Sequence, residues 1–209
     1  QLSFHPFVDL LHAWAGIGEQ DKEEDALAKL HAAVASVLGE QASREASPFI
    51  ATLLGLSLTG EPPERVAEME GEVLQKLILK SIRDLIETMA ATRPLMLVFE
   101  DLHWADASSL ALLESLLRLV AESPVLFIHV LRPDQHPAQR IVKVAREHYP
   151  RQHVEIQLTP LDATHCDLLV QNLLKTEHLP YALGTLITRK AEGNPFFIEE
   201  VVRSLIDEG

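Results

Sequence analysis

The chain has 209 residues, of which 47% are hydrophobic and 23% charged, with 9 glycines and 12 prolines. That is ordinary globular composition on a length that can bury a core, and aromatics at only 5% leave Leu, Val, Ile and Ala to fill it. A formal net charge of −13 argues against unaided binding to DNA or RNA, whose phosphates it would repel.

No stretch approaches the roughly 18 uninterrupted apolar residues of a membrane span, and no secretory leader pattern opens the chain. Membrane partners are therefore not expected. The single cysteine, Cys166, has no internal partner for a disulfide and fits a reducing, cytoplasmic setting. The run from Glu19 to Asp25 holds five acids against one lysine and reads as a solvated helix start.

Helical spacing marks Phe7, Val8, Leu10, Leu11 and Trp14 as the apolar stripe of a first helix, with Pro6 in its first turn. A second helix runs from Lys22 to Leu38. A short third is expected to open at Ser47-Pro48 and end at Leu54. Gly60-Glu61-Pro62-Pro63 breaks the chain, and a long helix from Pro62 carries Val73, Leu74, Leu77, Ile78, Ile82, Leu85, Ile86 and Met89 on one face.

At Arg93-Pro94 the pattern changes. Leu95 to Phe99 is a continuous apolar run, the pattern of a parallel strand covered on both faces. A leucine-rich helix follows from Ala107 to Ala121, with Asp106 or Ser108 as its cap. A second strand (Val125 to Leu131), a helix (Pro137 to His148) and a third strand (Val154 to Leu158) complete a parallel α/β sheet with right-handed crossovers. Beyond Leu161 the chain reads as helical, in segments near Ala163–Leu174, Pro180–Ala191 and Pro195–Ile206. Three strands are few for so much helical cover, as though strands in front were missing.

Strand one ends in Glu100-Asp101. Two carboxylates at the carboxyl end of a parallel strand occupy the edge where α/β sheets bind ligands. One can hold Mg²⁺, directly or through water, while the other orients or deprotonates an attacking water. The same string also suits a plain loop start or turn cap. The ten histidines show no familiar metal-ligand spacing and read as scattered solvent histidines.

The segment Leu97-Val98-Phe99-Glu100-Asp101-Leu102-His103-Trp104-Ala105-Asp106-Ala107-Ser108-Ser109-Leu110 resembles the Walker B region of AAA-like STAND ATPase domains. Those domains stand beside class III adenylate/guanylate cyclases and in large LuxR-type transcriptional regulators. Ala191-Glu192-Gly193-Asn194-Pro195-Phe196-Phe197-Ile198-Glu199-Glu200-Val201 resembles their Gly-x-Pro lid motif, and Val130-Leu131-Arg132-Pro133 is a shorter match to a sensor strand end. The resemblance implies a partial P-loop NTPase core followed by a helical lid. Its parts would be a helical region at 1–92, an α/β core at 93–160 and a lid at 161–209.

By the same resemblance Glu100 is the metal-side carboxylate, holding Mg²⁺ through water in an intact domain, and Asp101 is the water-activating carboxylate. Arg132 is a sensor for the γ-phosphate, its planar donor fork suiting phosphate, although it also reads as a surface arginine before a proline turn. Gly193, Asn194 and Pro195 start the lid helix near adenine, and Asn-Pro also serves simple helix initiation. His103 and Trp104 match the pattern, with Trp104 read as packing.

The implied cofactors are ATP and Mg²⁺, and the implied partners are nucleotide and the cyclase or DNA-binding output domains of a longer protein. Gly-x-x-x-x-Gly-Lys-Ser/Thr is nowhere in the sequence. Ala15-Gly16-Ile17-Gly18-Glu19 lacks the lysine and hydroxyl and puts a repelling glutamate in their place. The chain alone is thus expected to bind ATP weakly or not at all and to be inactive as an ATPase. Because it opens on Gln1, truncation of a longer protein is the expected reason. The reading is an ATP-dependent regulatory switch, the alternatives being a nucleotide-independent interaction scaffold and an unrelated α/β enzyme with an acidic metal site. An exposed sheet edge left by missing strands would favour self-association.

Overall fold

The computed structural model describes residues 4–56, 71–133, 136–176 and 181–207. The expected break at Gly60–Pro63, the helix start at Pro62 and Pro180 lie outside them. The chain divides into two units, Gln1–Val154 and Glu155–Gly209. Most of the fold is helical, with a small two-stranded parallel sheet.

In the first unit, helices α1 (His5–Ala15), α2 (Glu23–Leu38) and α3 (Glu40–Leu53) precede the long α4 (Gly71–Thr92). The third helix begins seven residues before the expected start at Ser47, and Pro48 lies inside it. A proline there costs about 3 kcal/mol in lost hydrogen bonding and crowding. Burial of Ala46, Ile50, Ala51 and Leu53 opposes that cost. Ser43, Ala46 and Ser47 are small enough to let α2 approach closely. The Ser43 Oγ reaches the His31 carbonyl of α2 at 3.4 Å and the Ser47 hydroxyl at 3.1 Å. On α4 the buried stripe is Ile78, Ser81, Ile82, Leu85, Ile86 and Ala90, while Val73 is exposed.

Strand β1 (Leu95–Phe99) pairs with β2 (Val125–His129), Leu95 opposite Val125 and Phe99 opposite His129. Between them lie a 3-10 turn (Leu102–Trp104), α5 (Ala107–Leu116) and the short α6 (Leu119–Glu122). Leu97 and Phe99 enter the core, where the Phe99 ring lies 5.1 Å from that of Phe7 on α1. The expected cover on both faces is absent: Met96 and Val98 are 60% and 44% exposed, and beside them Leu126 and Ile128 are 55% and 37% exposed. Period-2 alternation puts these four on one face, and among the described residues nothing covers it.

Helix α7 (His136–His148) buries Ala138, Ile141 and Ala145 and is tied to α5 by the Arg140–Glu114 ion pair at 2.7 Å. The expected third strand does not form. Residues 153–162 have no regular structure, and Val154, Ile156 and Leu158 are 82%, 82% and 88% exposed. Their alternation suits a strand, but a strand exists only through a neighbour's backbone, and among the described residues no strand pairs with this one.

The second unit is a cluster of α8 (Ala163–Leu174), α9 (Tyr181–Ala191) and α10 (Pro195–Asp207) around Cys166, Val170, Ile187, Ala191, Ile198 and Val202. No described helix is long and apolar enough to cross a membrane.

Candidate functional site

Strand β1 delivers its carboxylates directly. Beyond Phe99 the two strands stay tied, Val130 N–H donating to Phe99 O at 2.9 Å and Leu102 N–H to Val130 O at 3.1 Å. These bonds fix Glu100 and Asp101 at the carboxyl end of the sheet, and both are exposed. Asp101 adopts a left-handed backbone (φ 51°), which aspartate tolerates better than most residues and which starts the 3-10 turn. Since β2 runs parallel to β1, Arg132 leaves the sheet at the same edge, three residues past the last paired position, and is exposed. The fold therefore gathers Glu100, Asp101 and Arg132 at one sheet edge.

Asp106, the final acid of the motif, has a structural task. It caps α5, accepting from Ser108 N–H at 2.9 Å and Ser109 N–H at 3.1 Å, and it also accepts from the Ser109 hydroxyl. A fourth bond, from Phe4 N–H at 2.9 Å, fastens the start of α1 to it. Burial of this carboxyl opposes its ionisation, but the bonds from Ser109, Phe4 and Ser108 outweigh that and hold its pKa below the usual value.

Two histidines correct the expectation of scattered solvent side chains. His129 ends β2 in phase with Val125 and Phe127, between the rings of Phe99 and Phe127 at 6.2 and 6.0 Å. Burial, with a smaller effect from the charge of His153, pushes its pKa down to about 4. The inward period of the strand would have shown this from sequence. His103 leaves only 3% of its side chain exposed, and neither ring nitrogen has a hydrogen-bond partner among the described residues. No sequence period marks it, because a single 3-10 turn is too short to set one. Trp104, expected to pack, is 78% exposed.

In the second unit Gly193 (φ +77°) turns the chain from α9 into α10. Its carbonyl accepts from Leu161 N–H at 2.8 Å, and a Cβ there would lie 2.5 Å from Leu161 O. Asn194 Oδ1 accepts from Phe196 N–H at 3.0 Å, and Pro195 is the first residue of α10. Gly193, Asn194 and Pro195 thus form a closely packed helix start.

Exposed carboxylate oxygens at a strand end are hard donors that suit Mg²⁺, which uses one or two carboxylates with water and phosphate rather than a protein cage. Among the described residues no group of three or more His, Cys, Asp or Glu could hold a metal. Glu100 and Asp101 fit the shared kind of site.

The AAA ATPase domain family matches residues 3–128, more than half of the chain, and the chain belongs to that family. It is a nucleotide-binding, ATPase-type domain. The matched span contains Glu100 and Asp101 and ends before Arg132. Residues 165–208, which include the Gly193–Pro195 turn, match a domain of unknown function, DUF8739. No curated protein and no solved structure matches.

Proposed function

We propose that this chain is the Walker B and lid portion of a STAND-type signalling ATPase, an ATP-dependent switch for a cyclase or transcriptional output in a longer protein. The observation that carries the reading is the exposed Glu100–Asp101 pair at the carboxyl edge of a parallel strand within an AAA ATPase domain. In an intact domain Glu100 holds Mg²⁺ through water, and the ion offsets phosphate charge when bound. Asp101 orients the attacking water, and Arg132 reads the γ-phosphate from the end of β2. Gly193, Asn194 and Pro195 begin a lid whose position answers to the nucleotide. A switch of this kind needs contacts that differ between its two states, and Arg132 and the lid turn supply them.

The 209 residues hold no Gly-x-x-x-x-Gly-Lys-Ser/Thr loop, and on this reading the parts divided at 92 and 160 are pieces of one nucleotide-binding core. An ATP-dependent switch whose one cysteine is buried fits the cytoplasm. Titration calorimetry with Mg²⁺·ATP tests the reading. This chain binds weakly or not at all, whereas a version extended upstream to include a Gly-Lys-Ser/Thr loop binds, and Glu100→Ala weakens that binding. Equal binding by the two versions overturns it.

A second reading, a nucleotide-independent scaffold, is favoured by the apolar face of Met96, Val98, Leu126 and Ile128, which nothing among the described residues covers. That face and the open sheet edge also favour self-association, for which light scattering of a strictly monomeric species is the contrary result.

A further inference from the structure

The side chain of His103 is almost wholly buried, yet both its ring nitrogens lack a partner among the described residues. A buried imidazole left so forfeits the hydrogen bonds it made in water, and native interiors rarely tolerate that without a reason. One acceptor is close. Asp101 Oδ1 lies 3.9 Å from His103 Nε2, about 1 Å beyond a hydrogen bond.

The two partners differ in freedom. Burial fixes the His103 imidazole, whose backbone is held in the turn closed by Trp104 N–H to Asp101 O at 2.9 Å. Asp101, by contrast, is 77% exposed at its side chain and free to rotate. A small rotation of the carboxylate closes the gap, while the imidazole stays still. Hydrogen bonds around catalytic groups are often long before substrate arrives and tighten in its presence.

We propose that His103 is the positioning residue for Asp101: its Nε2–H donates to Oδ1 and fixes the carboxylate, leaving Oδ2 to accept from the attacking water. This rests on the reading of Asp101 as the water-orienting carboxylate, but the contact itself needs no nucleotide. The arrangement places the ring proton on Nε2. It also gives one of the two unpaired ring nitrogens, Nε2, an acceptor at a position where leucine would otherwise fill the space. His103 acts only through Asp101 and does not touch the reacting atoms.

Long-range ¹H–¹⁵N correlation spectra of the ring nitrogens, recorded on this chain at mildly alkaline pH, test the contact separately from ATP binding. The expected result is a His103 ring protonated at Nε2, whose Nε2 resonance shifts in Asp101→Ala. Asp101→Asn, which keeps a carbonyl acceptor, restores part of that shift, and Glu100→Gln leaves the resonance in place. Alanine strains the left-handed backbone at Asp101, so Asp101→Asn, which tolerates that conformation as aspartate does, separates the loss of the acceptor from a change in the turn. A ring protonated at Nδ1, or an Nε2 resonance indifferent to Asp101→Ala, overturns the proposal even if the chain proves to be part of an ATPase. Failure of the calorimetric test with this signature intact would instead remove the ATPase reading and leave the contact standing.

Discussion

Gly193→Ala puts a single methyl group where the second unit has no room for it. Two costs add. The backbone at φ +77° costs an L side chain about 1–2 kcal/mol. The new Cβ would also lie 2.5 Å from Leu161 O, 2.9 Å from Pro160 Cβ and 3.0 Å from Leu161 N, and the backbone atoms among these cannot swing aside as a flexible side chain would. Overpacking of that kind costs about 1–3 kcal/mol. The sum, about 2–5 kcal/mol, is large for a cluster of three helices.

Cys166, the chain's one cysteine, is 0% exposed in the core of the same unit and reports its opening. When closing is fast relative to labelling, the rate of thiol modification follows the opening equilibrium. The expected acceleration in Gly193→Ala is about 30-fold to a few thousand-fold, at about 1.4 kcal/mol per factor of ten. Amide exchange at Leu161, whose N–H bonds Gly193 O at 2.8 Å, should accelerate alongside. A labelling rate within about twofold of the parent would show that the approach of residues 160–161 to Gly193 is not a real constraint, and the packing argument for this turn would fail.

Asp106→Ala removes the cap of α5 and the acceptor for Phe4 N–H, and a urea denaturation series should show a loss of about 1–2 kcal/mol. Because the pKa of Asp106 is depressed, its stabilisation is present above the usual carboxylate range and disappears as pH falls through the lowered value. His129 behaves differently. With a folded pKa of about 4 against an ordinary 6.5, the unfolded chain takes up a proton that the native one refuses. Stability therefore falls as pH drops from about 6.5 towards 4, by up to about 3 kcal/mol, and His129→Phe should flatten that part of the denaturation profile. An unchanged profile in the variant would assign the pH dependence to other groups.

The place of the acid pair just past β1 was legible because the continuous apolar run stops at Phe99, although the same string also suited a plain loop start. Asp106 was legible for a similar reason: caps use local chemistry, and the helix it starts is written in the next ten residues. Local rules fail where the deciding partner is remote. Val154, Ile156 and Leu158 alternate as a strand does, yet no strand among the described residues accepts them. Pro48 reads as a helix start until the close approach of α2 to Ser43 and Ser47 is known. The burial of His103 depends on how a three-residue turn packs, which no periodicity records. The glycine at 193 was visible as part of a motif, but the reason for it, the backbone at Leu161, lies thirty-two residues upstream.

The central claim is that triphosphate and metal meet at the carboxyl edge of β1. Paramagnetic broadening by Mn²⁺·ATP tests it most directly, read residue by residue in amide spectra of a version extended upstream to include a Gly-Lys-Ser/Thr loop. The account predicts that signals of Glu100, Asp101 and Arg132 broaden first and recover when Mg²⁺ displaces the manganese. Broadening centred instead on the acidic run from Glu19 to Asp25, with the β1 edge untouched, would contradict it.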